Sequence, residues 1–69
     1  MKLLSGKQFA ALLERHGWEL KRIHGSHHIY ARQGSIARIS VPIHANTLLK
    51  LGLQKHLARL AGIPDSELR

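Results

Sequence analysis

Apolar residues recur at two different periods along the chain, and the change of period divides it into elements. Phe9, Leu12 and Leu13 follow the three-and-four spacing of an amphipathic helix, while Ser5 and Gln8 stand at the spacing of a capping box. Leu4 precedes that cap and can pack on Phe9 one turn later. Gly17 offers the left-handed residue that ends many helices, so the first helix is predicted over residues 6–16. From Trp18 onward the spacing shortens. Trp18, Leu20, Ile29, Tyr30, Ile36, Ile39 and Val41 are apolar, most of them β-branched or aromatic, and predict three short strands.

Gly25-Ser26 separates the first strand from the second, and Gln33-Gly34-Ser35 separates the second from the third. A three-residue loop at 33–35 sets Ile29 opposite Ile39, Ala31 opposite Ala37 and His27 opposite Val41 on an apolar face. His28, Tyr30, Arg32, Arg38 and Ser40 then share the other, basic face. Pro42 closes the third strand, and residues 43–50 connect to a second helix with a candidate cap at Asn46. That helix is predicted over 51–61, with Leu53, Leu57 and Leu60 inward and Lys55, His56 and Arg59 toward solvent. Gly62 and Ile63-Pro64 stop it, and residues 65–69 form at most one loose turn. The order helix, strand, strand, strand, helix predicts a two-layer α+β fold: a three-stranded antiparallel sheet with both helices on one face. The second face is left to solvent or a ligand.

Composition narrows what such a fold does. With 69 residues the chain is expected to be one domain spanning 1–69, since about 60% of the unfolded surface is all a chain of this size buries. Eleven Lys and Arg against four Asp and Glu leave a formal charge of +7, which points to a polyanionic partner. A hydrophobic content of 43% argues for a folded core rather than disorder. The absence of cysteine removes disulfides, thiol chemistry and Cys-ligated zinc. No apolar run has the length of a signal peptide or a membrane span, and neither helix sets bulky apolar residues against a Lys/Arg face. The expected setting is therefore reducing and cytoplasmic, without membrane binding.

Six histidines are the most unusual part of the inventory, and four of them, His24, His27, His28 and His44, lie in or beside the strands. Zinc is a poor fit: His27 and His28 are strand neighbours that point to opposite faces, and none of the four carboxylates stands at ligand spacing from them. A serine triad is poorer still, because Ser26 beside His27 has neither the strained elbow nor a carboxylate third member. No metal and no cofactor is expected. General acid–base chemistry by histidine remains, and RNA suits it, because the substrate's own 2′-hydroxyl is the nucleophile. Lys21, Arg22, Arg32 and Arg38 are available to hold phosphate by charge-assisted hydrogen bonds. Each feature also has an ordinary structural role: a strand histidine bonded to a backbone carbonyl, a solvated basic face, Trp18 and Tyr30 as packing.

An ordered series of landmarks adds to these residue-level readings. Gly17-Trp18, Arg22, Gly25-Ser26-His27-His28-Ile29-Tyr30, Val41-Pro42-Ile43-His44, Gly52-Leu53 and Ala61-Gly62-Ile63 together resemble the HicA family of mRNA-interferase toxins. The likeness runs from the first helix to Ile63. It implies a fold similar to the double-stranded-RNA-binding domain, and an endoribonuclease that cuts mRNA without a metal. By the same resemblance His27 is catalytic, Gly25 permits the tight turn and Ser26 helps to place His27. Lys21, Arg22, Ser26, His28 and Arg38 are then further candidates for RNA or phosphate contacts. The implied partner is a HicB-type antitoxin that covers the active site, with operator DNA reached only through the complex. Family members often carry a Lys or other polar residue just before the Gly-Ser-His stretch, where this chain has His24. A different class of function for the same fold is a non-catalytic RNA-binding module, which needs basic residues but no histidine at a strand start.

Overall fold

The Ser5 hydroxyl accepts a hydrogen bond from the Gln8 backbone N–H at 3.1 Å, and the Gln8 side chain accepts one from the Ser5 N–H at 2.9 Å. This reciprocal cap starts helix α1, Gly6–Arg15, in the computed structural model, which describes all 69 residues. Strands β1 (Glu19–His24), β2 (His27–Ala31) and β3 (Arg38–Pro42) follow, then helix α2 (Leu51–Ala61) and a 3-10 turn at Asp65–Leu68. Helix α1 ends one residue earlier than the periodicity predicts, with His16 as its C-cap and Gly17 at φ +85°. Helix α2 has the predicted bounds, but Lys50 rather than Asn46 is its N-cap, without a side-chain bond. At its C-terminus Gly62 is left-handed, with Gly62 N–H bonded to Arg59 O and Ile63 N–H to Ala58 O.

The sheet is antiparallel in the order β1-β2-β3, with both helices packed on one face. Its register differs from the expected one. Tyr30 pairs with Ile39 and His28 with Val41, whereas Ile29 pairs with Ser40, Ala31 with Arg38 and His27 with Pro42. The cause is the connection 32–37, which is six residues long rather than three and leaves Ile36 fully exposed at its crest. A change in loop parity slides the pairing by one residue, and that exchanges the two faces of β2 relative to β3. The helix-side face therefore carries His28, Tyr30, Ile39 and Val41, and the open face carries His27, Ile29, Ala31, Arg38 and Ser40. Tyr30 and His28, expected on the basic face, lie on the apolar one; His27 and Ile29 are the reverse case.

Helix α2 is also rotated from its expected orientation. Gln54, Leu57, Ala58 and Ala61 are its buried residues, and Leu53 and Leu60 are exposed. Two alanines let the helix approach the sheet closely, and Gln54 is buried because the N-terminal segment satisfies its amide. Leu4 N–H donates to Gln54 Oε1 at 2.8 Å, and Gln54 Nε2 donates to the Lys2 carbonyl at 2.7 Å. The core contains Phe9, Leu13, Trp18, Tyr30, Ile39, Val41, Leu57 and Ile63, and Leu68 of the terminal turn joins it at 1% exposure. Trp18 and Tyr30 are both packing residues, at 2% exposure each. The Trp18 indole N–H donates to the Ala61 carbonyl at 3.3 Å, and the Arg32 guanidinium lies 4.5 Å over its ring. Arg32 also donates to the His16 carbonyl, so this candidate phosphate ligand is engaged beside the core instead.

Candidate active site

The open face of the sheet is built from three cross-strand rows. The first, at the β1–β2 turn, is His24, His27 and Pro42; the second is Arg22, Ile29 and Ser40; the third is Glu19, Ala31 and Arg38. Successive rows are two residues apart along β2 and β3, about 7 Å. Gly25 takes φ +62° at the first position of the two-residue turn between His24 and His27. A Cβ there would touch nothing within 4 Å, so backbone conformation rather than space calls for glycine.

Strand β1 is interrupted by a bulge. Leu20 pairs with Tyr30 and Arg22 with Ile29, which leaves Lys21 as the extra residue. Lys21 and Arg22 consequently line the same surface, although a regular strand would send them to opposite faces. With Arg38 from β3 they surround a depression of about 550 Å³ whose floor is Ile29, Ala31 and Ser40. An uncharged floor and long cations at the walls make a trough suited to a phosphate chain. The single acidic residue of these rows, Glu19, is paired with Lys21 at 3.1 Å.

His27 is exposed at the end of this trough. Two further histidines share that end of the sheet. His24 is its cross-strand neighbour, and His44 follows Pro42, its partner on the other side. The Ile43 N–H donates to the Ser26 carbonyl at 2.8 Å, and the His44 Nε2 lies 3.5 Å from the Ser26 hydroxyl. Helix α1 packs against the same segment: a Cβ on Gly6 would stand 2.1 Å from the Pro42 carbonyl oxygen. Of the residues singled out from sequence, the structure thus brings Lys21, Arg22 and Arg38 to one surface, with Gly25, Ser26 and His27 at its end. His28 lies on the other face, opposite Val41, and is apart from them. His44 stands in a landmark of the sequence but carries no signal there of its approach to Ser26. The two-residue turn, by contrast, already implies that His24 and His27 are paired.

Residues 6–63 match the family model described as "HicA toxin of bacterial toxin-antitoxin". The chain belongs to the HicA toxin family. The three-stranded antiparallel sheet and two helices agree with the double-stranded-RNA-binding-domain-like fold of HicA. The match covers every row of the open face, the turn that carries His27 and the Pro42–His44 segment; the terminal turn that closes the core with Leu68 lies beyond it. HicA toxins are in general mRNA-cleaving, and each works with an antitoxin partner. No curated protein matches the chain significantly. No helix is long and apolar enough to cross a membrane.

Proposed function

We propose that this HicA toxin is an endoribonuclease that cleaves mRNA in the cytoplasm by attack of the 2′-hydroxyl on the adjacent phosphate, with His27 as general acid–base. The observation that carries this reading is the exposed imidazole of His27 at the end of a trough walled by Lys21, Arg22 and Arg38. The cations hold the backbone phosphates and offset the charge that builds on the phosphorane, and His27 handles the proton of the attacking hydroxyl. The nucleophile comes from the substrate, so the reaction as written needs no metal. Ser26 and Gly25 act on His27 through the turn geometry.

The same surface accounts for neutralisation. A HicB-like antitoxin that lays acidic side chains along the trough competes with RNA phosphates for the same three cations and buries His27. Operator DNA is then reached through the antitoxin in the complex.

The decisive experiment incubates wild type and His27→Ala with a long unstructured RNA in excess EDTA and identifies the product ends. Fragments with a 2′,3′-cyclic phosphate and a 5′-hydroxyl from wild type alone are the expected result, with a loss of about 10²–10⁴-fold in the variant. If both proteins bind RNA and neither cuts it, the chain is an RNA-binding module instead. Cleavage by His27→Ala at the wild-type rate removes His27 from the mechanism.

A further inference from the structure

Cleavage of this kind moves two protons, one off the 2′-hydroxyl and one onto the departing 5′ oxygen, and a single imidazole does not serve both sides of the phosphorus at once. The open face offers few groups for the second role. Arginine does not give up its proton in proteins. Glu19 lies in the row farthest from His27, and the Lys21 ammonium is held by it at 3.1 Å, away from the His27 end. Tyr30 is buried on the other face, donating to Glu14 Oε2 at 3.3 Å, and His28 lies on that face too. Two imidazoles remain at the His27 end of the sheet: His24, paired across the strands with His27, and His44, against the neighbouring Ser26.

We infer that His44 is a second catalytic residue of this toxin, the general acid that protonates the leaving 5′ oxygen. The inference rests on the proposed role of His27. Three features favour His44 over His24. Its segment is clamped from two sides, by the 2.8 Å bond from Ile43 N–H to the Ser26 carbonyl and by the backbone of α1 at Gly6. Of these two rings, His44 is the one with a side-chain partner, the Ser26 hydroxyl at 3.5 Å from Nε2, next in sequence to His27. Finally, His44 lines a depression of about 180 Å³ with Leu48, Leu53 and Pro42, the cross-strand partner of His27, which offers the departing nucleoside a partly apolar surface beside the ring.

The step balances within these groups. His27 takes the 2′-hydroxyl proton as the 2′ oxygen bonds to phosphorus. The bond from phosphorus to the 5′ oxygen breaks, and that oxygen leaves with the electron pair and takes a proton from the His44 imidazolium. The products are a 2′,3′-cyclic phosphate and a 5′-hydroxyl, and solvent returns each imidazole to its starting state.

The test uses an RNA oligonucleotide containing a mapped wild-type cut site, made once with the natural linkage and once with sulfur replacing the bridging 5′ oxygen. A thiolate leaves without protonation, so the sulfur linkage no longer needs the acid. His44→Ala and His44→Gln are expected to cut the natural linkage at least about 10²-fold more slowly than wild type and the sulfur linkage within a few-fold of it. His27→Ala is expected to be slow on both. Because His44 is exposed, both variants should melt with wild type. The proposal is overturned if the His44 variants cut natural RNA at the wild-type rate, if they are equally slow on both linkages, or if sulfur rescues His24→Ala in their place. If wild type itself cuts neither substrate, the proposed nuclease function fails first and the acid assignment falls with it.

Discussion

Gly6 in the first turn of α1 and Pro42 at the end of β3 touch backbone to backbone, with the Pro42 carbonyl oxygen 2.1 Å from where a Cβ on Gly6 would stand. This close approach joins the helix layer to the end of the sheet that carries His27. In an open helix, alanine in place of glycine stabilises by up to about 1 kcal/mol. Here the added methyl displaces the Pro42 peptide, an overpacking expected to cost about 1–3 kcal/mol. Gly6→Ala should therefore lower the melting temperature by several degrees and slow RNA cleavage, because the displaced segment leads into His44. A melting temperature equal to or above wild type would show that the segment yields freely.

The amide of Gln54, fully buried, is the tie between α2 and the N-terminal segment. Gln54→Leu fills the volume but strands the Leu4 N–H and the Lys2 carbonyl, each at about 1–3 kcal/mol if it stays dry. The midpoint of urea denaturation should fall with little change of slope. RNA cleavage per folded molecule should be unchanged, since Gln54 is remote from the open face.

Lys21, Arg22 and Arg38 line one depression, whereas His28 faces the helices. In an inactive His27→Ala background, alanine at any of the three cations should weaken RNA binding and reduce the salt slope by about one for each phosphate that is no longer neutralised. His28→Ala should leave the slope as it is. Titration of a labelled RNA at several salt concentrations separates the two cases, and a slope that responds to His28 but not to Arg22 would move the phosphate path off the open face.

Burial, followed by the charge of Glu14 and the hydrogen bond to it, pushes the Tyr30 phenol above its ordinary value of 10.0. The unfolded chain therefore gives up this proton at lower pH than the folded one. The stability that the neutral phenol contributes is fully present below the ordinary value and is lost as pH rises from there through the folded pKa. Tyr30→Phe should flatten that part of the alkaline decline. The chain has one tyrosine, so phenolate absorbance reads Tyr30 alone. Ionisation at the ordinary pH in a chain that is still folded would contradict the assignment.

Much of the architecture follows from signals that act over a few residues. The Ser5–Gln8 box, the left-handed Gly62 and the Gly25-Ser26 turn each determine local backbone geometry by their own chemistry, so the element order and the bounds of α2 were legible along the chain. The same is true of the basic charge and of the landmarks around His27. Other features depend on how separate elements fill shared space, and tertiary structure alone decided them. The six-residue connection 32–37 set the parity of the β2–β3 pairing and hence which face receives His27 and which receives His28. The bulge at Lys21 turned two consecutive cations to one surface, and the fit of Ala58 and Ala61 against the sheet rotated α2 away from its leucine stripe. His44 reaches Ser26 because β3 ends where the β1–β2 turn and α1 both meet it, a coincidence of three elements distant in sequence. Hydrophobic periodicity identifies an apolar stripe, but the side that packs is chosen by steric fit and by the pairing of buried polar groups, and both are properties of the assembled fold.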